Sequence, residues 1–106
     1  AVHHNVVATG VPWLDNYMRL ANGEALHAAL LPARQRIRGV FYGHIHQNSQ
    51  LVRDGILYSS VPSSWYQIQT WPGQTETLLD PDASPGFNVV TITAEQTHIY
   101  NHRYKL

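Results

Sequence analysis

The dipeptide Asp54-Gly55 lies between two short β-prone runs, Gln50 to Arg53 and Ile56 to Ser59. A two-residue type I′ turn needs positive φ at both central positions, and Asp-Gly is one of the few pairs that accept it readily. The chain is therefore predicted to fold back on itself here, with the two runs paired antiparallel, and every other element has to accommodate that hairpin. Phe87 to Thr93 and Thr97 to His102, joined by Ala94-Glu95-Gln96, read as a second hairpin. Trp65 to Thr70 reads as a further strand, and Pro72, Gly73, Pro81, Pro85 and Gly86 punctuate the loop between.

The first half has a different rhythm. Residues 1–8 start extended, Gly10 and Pro12 break regularity, and residues 13–21 suit a loop or short helical turn anchored by Trp13, Leu14, Tyr17 and Met18. The clearest helix runs from Gly23 to Arg34. Asn22 stands at its N-cap and Glu24 in the first turn, where the helix dipole favours an anion. Ala25, Leu26, Ala29 and Leu30 form its predicted apolar stripe, and Pro32 should end or bend it at Leu31. Arg38 to Tyr42 reads as a buried strand. Strand, helix and strand followed by hairpins make an α/β chain, one βαβ-like unit leading into antiparallel β structure. Without internal repeats, residues 1–106 are expected to form one domain.

Composition narrows the function classes. Apolar residues are 43% and charged residues 13%, which excludes an intrinsically disordered chain. Seven basic and seven acidic residues cancel, so the basic surplus needed for duplex nucleic acid or an anionic membrane is missing. No apolar run approaches the ~20 residues of a membrane span, and a cytoplasmic setting is expected. Cysteine is absent, so any metal must be held by imidazole, carboxylate or amide groups. Histidine, with seven residues, is as frequent as all acids together.

Two histidine motifs stand out. Gly43-His44-Ile45-His46 closes a predicted strand; Gly43 lets the backbone pass close to a bound group, and two imidazoles two residues apart can serve one site. His3-His4 lies at the end of the first extended segment. Adjacent residues on a strand face opposite ways, so at most one of that pair should be a direct ligand, the other orienting it or reaching substrate. A helix separates the two segments, which is βαβ spacing. In a parallel sheet the carboxyl ends of strands share one edge, so His3, His44 and His46 are expected to converge there. Three imidazoles alone do not make a dinuclear hydrolytic site, which also wants a bridging carboxylate.

These motifs occur in a recognisable order: His3-His4, Trp13-Leu14-Asp15, the helix from Asn22 to Leu31, Gly43-His44-Ile45-His46-Gln47, Ser60-Val61-Pro62-Ser63-Ser64, Pro85-Gly86-Phe87 and His102-Arg103. In that order and spacing the chain resembles the C-terminal part of the calcineurin-like metallophosphoesterases, most of all the bacterial class III cyclic nucleotide phosphodiesterases. The resemblance implies part of a two-sheet α/β sandwich. It also implies a site of two divalent ions (manganese, iron or zinc), with His46 on the first and His3 and His44 on the second. The substrate it implies is a phosphoester, with cyclic nucleotides among the candidates. The family's Asp-x-His, Gly-Asp-x-x-Asp and Gly-Asn-His-(Asp/Glu) motifs do not occur in these residues, so the chain is expected to be the C-terminal portion of a longer enzyme. Alone it should be inactive, bind metal weakly at most, and self-associate as a homodimer through uncovered strands.

Two other readings stay open. The chain is a non-enzymatic oligomerisation or regulatory module with incidental histidines, or three histidines hold a single zinc ion with an open fourth position. His27, His98 and His102 are expected on the surface. Trp65, Tyr66 and Trp71 are expected in core or interface packing, with nucleobase stacking as the functional alternative. Ser63 and Ser64 are either turn residues or phosphate contacts.

Overall fold

The computed structural model describes residues 1–106. The Asp54-Gly55 turn forms as the sequence requires: φ is +50° at Asp54 and +79° at Gly55, and β2 (Gln50–Arg53) pairs antiparallel with β3 (Ile56–Ser60). On its other side β3 pairs in parallel with β1 (Val40–Tyr42), so the three-stranded sheet has the order β1-β3-β2. The first extended segment adds one parallel bridge, Val2 to Tyr42, on the free side of β1. The second hairpin is also present, with β6 (Gly86–Ile92) antiparallel to β7 (Thr97–Arg103). Of the expected Trp65–Thr70 strand only β4 (Gln67–Ile68) is regular, and it pairs with β5 (Leu79–Asp80), a partner the Pro- and Gly-rich loop concealed. The architecture is therefore an α/β unit followed by antiparallel hairpins. No helix is long and apolar enough to cross a membrane.

The helices are shorter than the sequence suggests. Pro12 opens α1 (Pro12–Tyr17), where a missing N–H does no harm. The main helix, α2, covers Gly23–Leu30, and at Leu31 the chain tightens into a 3₁₀ segment, Leu31–Arg36, as Pro32 removes a donor. The buried face of α2 also differs from the expected stripe. Ala25 and Ala29 are exposed, while Gly23 and His27 point inward beside half-buried Leu26 and Leu30. The reason is steric. A Cβ at Gly23 would lie 1.9 Å from the Val6 carbonyl oxygen, so the helix can approach that segment only with glycine there.

The core is small. Val6, Val7, Val11, Trp13 and Leu14 from the first segment meet Val40, Tyr42, Ile45, Ile56 and Tyr58 from the sheet and the loop beyond it. That core fixes the two ends of the candidate site, because Ile45 is the buried residue between the two histidines of the Gly-His-Ile-His motif.

Candidate metal centre

The site begins with the pairing of the first segment against β1. Val2 donates its N–H to the Phe41 carbonyl at 2.9 Å, and Gly43 donates to the His3 carbonyl at 3.2 Å. These two bonds carry His3 alongside the carboxyl end of β1, where the motif follows. There the backbone bends sharply. The Ile45 N–H bonds the Gly43 carbonyl at 2.6 Å, closing a three-residue turn around His44, whose φ is +62°; His46 has φ +53°. Non-glycine residues rarely adopt such angles, and a γ-turn with positive φ is strained. Burial of Ile45 at 1% exposure holds the bend. The motif is thus a loop that presents His44 and His46 on either side of a buried anchor, not an extended strand with alternating faces.

Within this loop His44 Nδ1 lies 3.2 Å from His3 Nε2, two side chains 41 positions apart in sequence. His4 closes the group: its ring centroid is 4.3 Å from that of His44 and 4.9 Å from that of His3. Each of the three offers one ring nitrogen, all within 4.8 Å of one another. Strand alternation allows only one of His3 and His4 as a direct ligand, but the chain bends after His3 and both rings turn to the same side. His46 stands apart from this trio. Its Nδ1–H donates to the Tyr66 carbonyl at 3.0 Å and its ring lies 4.6 Å from that of Tyr66. A carbonyl can only accept, so Nδ1 carries the proton and Nε2 keeps a free lone pair, the arrangement in which a backbone oxygen orients a ligating histidine.

Electrostatics favour uncharged imidazole. Partial burial, and then the neighbouring His4, His3 and His46, hold the His44 pKa below the ordinary histidine value. Neutral imidazole is the form that binds a divalent ion. The donor set suits zinc, manganese or iron, and these residues therefore fit a divalent ion.

Other singled-out residues take structural roles. Asp15 accepts from the Thr9 and Gly10 backbone N–H groups at 2.8 and 2.9 Å, tying the loop before α1. Asp54 sits at the hairpin tip and bonds His27, whose other ring nitrogen meets the Tyr58 hydroxyl at 2.5 Å. The expectation of a surface His27 is therefore corrected: it is 3% exposed and serves the core. Ser63 belongs to a turn, its backbone clasped by the side chain of fully buried Gln67 and its hydroxyl accepting from the Trp65 N–H. Trp65, Tyr66 and Trp71 are all exposed, so none of them packs in the core. Asn5 has no exposed surface, and neither end of its side-chain amide has a partner.

No family model matches the chain. It is 30% identical over 97 residues to a 3′,5′-cyclic-nucleotide phosphodiesterase of Nostoc sp., which covers 92% of the chain and 35% of that protein. It is 28% identical over 97 residues to a probable cyclic nucleotide phosphodiesterase of Psychrobacter sp., covering 92% of the chain and 27% of that protein. To a 3′,5′-cyclic adenosine monophosphate phosphodiesterase of Pseudomonas aeruginosa it is 35% identical over 85 residues, covering 80% of the chain and 29% of that protein. The chain spans about a third of the length of the curated relatives it matches. The resemblance to bacterial cyclic nucleotide phosphodiesterases, drawn from the order of the motifs, is borne out by these relatives.

Proposed function

We propose that the chain is the C-terminal portion of a metal-dependent phosphodiesterase acting on cyclic nucleotides, to which it contributes three histidine ligands. The observation that carries this reading is the meeting of His3 and His44 at the carboxyl end of parallel β1, in a loop with strained backbone at His44 and His46. Strain of that kind persists where the surroundings enforce it, and it clusters at functional sites. The relatives supply the reaction class. His3 and His44 would hold one divalent ion and His46, through its free Nε2, the other. Bound divalent ions supply charge neutralisation for the phosphoryl oxygens and acidify a water at neutral pH. The chain's own part is to keep His44 neutral, to fix the His46 tautomer through the Tyr66 carbonyl, and to hold the loop rigid through Ile45. The acidic ligands of such a site would come from polypeptide preceding Ala1.

In the protein that contains this segment, His44→Ala and His46→Ala should each lower turnover of a generic phosphodiester by orders of magnitude and reduce bound metal by elemental analysis, while His98→Ala does neither. Unchanged metal in the His46 variant would refute its assignment. The isolated chain should be inactive and dimeric, because Phe87, Val89 and Tyr100 leave an apolar face on the second hairpin. A monomer in sedimentation at micromolar concentration would count against that association.

One observation favours a second reading. His4 belongs to the tight group with His3 and His44, and three imidazoles are a complete ligand set for a single zinc ion. Loss of binding in His4→Ala, at a stoichiometry of one ion, would select it.

A further inference from the structure

The exposed aromatic turn beside His46 has no structural occupation, yet it is held on several sides. Gln67 grips both the N–H and the carbonyl of Ser63, at 2.9 and 2.8 Å. The Trp65 N–H bonds the Ser63 hydroxyl at 3.1 Å, and the Tyr104 hydroxyl donates to the Ser64 carbonyl at 2.7 Å. The result is a fixed turn that pushes Trp65 and Tyr66 outward, 74% and 46% exposed, with ring centroids 6.3 Å apart and nearly perpendicular. Between this turn and the chain's last residues lies a cavity of about 370 Å³, lined by Trp65, Tyr66, Asp82, Ser84, Tyr104 and Lys105 among others. Through the Tyr66 carbonyl the turn is hydrogen-bonded to His46, so the cavity adjoins the histidine loop.

The geometry points to this cavity as the subsite for the nucleobase of a nucleotide substrate, with Tyr66 and Trp65 as the stacking surface; the inference rests on the phosphodiesterase reading above. Aromatic faces stack any base, and such stacking is sequence-tolerant. Charge orients the ligand. Asp80 and Asp82 outnumber the one cation of the lining, Lys105, so the cavity disfavours a phosphate, while their oxygens suit the exocyclic amine of a base. The phosphoryl group is thereby directed to the other side of His46, toward His3 and His44. Tyr66 then links the two ends, its ring at the base and its carbonyl orienting His46.

The test uses the chain itself, with resonances of the Trp65 indole and Tyr66 ring followed by NMR as adenosine, AMP or ribose 5-phosphate is added at millimolar concentration. Adenosine and AMP should shift both residues without any metal, and ribose 5-phosphate should shift neither. Tyr66→Ala should weaken AMP by at least about fivefold, the lower bound for a lost base stack, and Tyr66→Phe should restore it. Equal effects of adenosine and ribose 5-phosphate, no response to adenosine, or unchanged affinity in Tyr66→Ala would each overturn the subsite. Zinc added to the same samples separates the two claims. Failure of zinc to perturb His3 and His44 would count against the metal reading while leaving base stacking measurable.

Discussion

His27 offers the sharpest test of how the fold is held. Its ring is 3% exposed and bridges the Tyr58 hydroxyl, which belongs to a side chain with no exposed surface, to Asp54 at the hairpin tip. His27→Ala removes the partner of a buried phenol, which costs about 1–3 kcal/mol when nothing replaces it. The emptied volume adds about 1 kcal/mol or more, at the low end of large-to-small core changes. A total near 3 kcal/mol is a large part of the roughly 5–15 kcal/mol available to a chain of this size. At about 4–8 °C per kcal/mol, Tm should fall by roughly 12–24 °C. Thermal and urea melts followed by circular dichroism measure it. The double-mutant cycle isolates the cause: in a Tyr58→Phe background the same substitution should cost about 1–2 kcal/mol less, since no hydroxyl is then stranded. Additive effects within about 0.3 kcal/mol, or a Tm change of only a few degrees in the single variant, would refute the buried bridge.

Gly23→Ala should destabilise by more than a typical surface change, because its Cβ would collide with the Val6 carbonyl; a stabilising shift, as helix propensity alone would give, would contradict that packing. Gly55→Val places a β-branched residue at φ +79° with open space around it, so its penalty of about 1–3 kcal/mol is backbone strain alone, and an unchanged urea midpoint would exclude the turn. The hydrogen bond from His27, and then the charges of His27, Arg53 and Arg34, lower the Asp54 pKa from 3.8. A depressed acid contributes stability above its unfolded pKa and loses it as pH falls through the folded value. Wild type and Asp54→Asn should therefore differ at neutral pH and converge in acid melts below that range, and a gap that persists there would contradict the linkage.

Local chemistry made much of this legible. Asp54-Gly55, Pro12, Pro32 and the second hairpin act through constraints within a few residues, and the structure follows them closely. The parallel approach of the first segment to β1 was readable from βαβ spacing, and with it the meeting of His3 with His44. What escaped was set by distant partners. The buried face of α2 depends on the Val6 carbonyl, and the burial of His27 depends on Tyr58 and Asp54, neither of which helical spacing can signal. Strand alternation allows only one of His3 and His4 in the group with His44, and it stops applying once the chain bends. The β4–β5 pair joins two-residue strands through a loop, too short for periodicity to register.

The proposed metal centre is tested most directly by the seven histidines, each with its own ring resonance. Zinc is added in sub-stoichiometric steps to the isotope-labelled chain while the ring Cε1–H resonances are followed. Direct coordination requires that His3 and His44 shift first and together, with His4 or His46 alongside, while buried His27 and the β7 residues His98 and His102, which lie outside the group, stay in place. Uniform drift of all the exposed histidines, or no response of His3 and His44 before His98 and His102, would contradict a metal site at the end of β1.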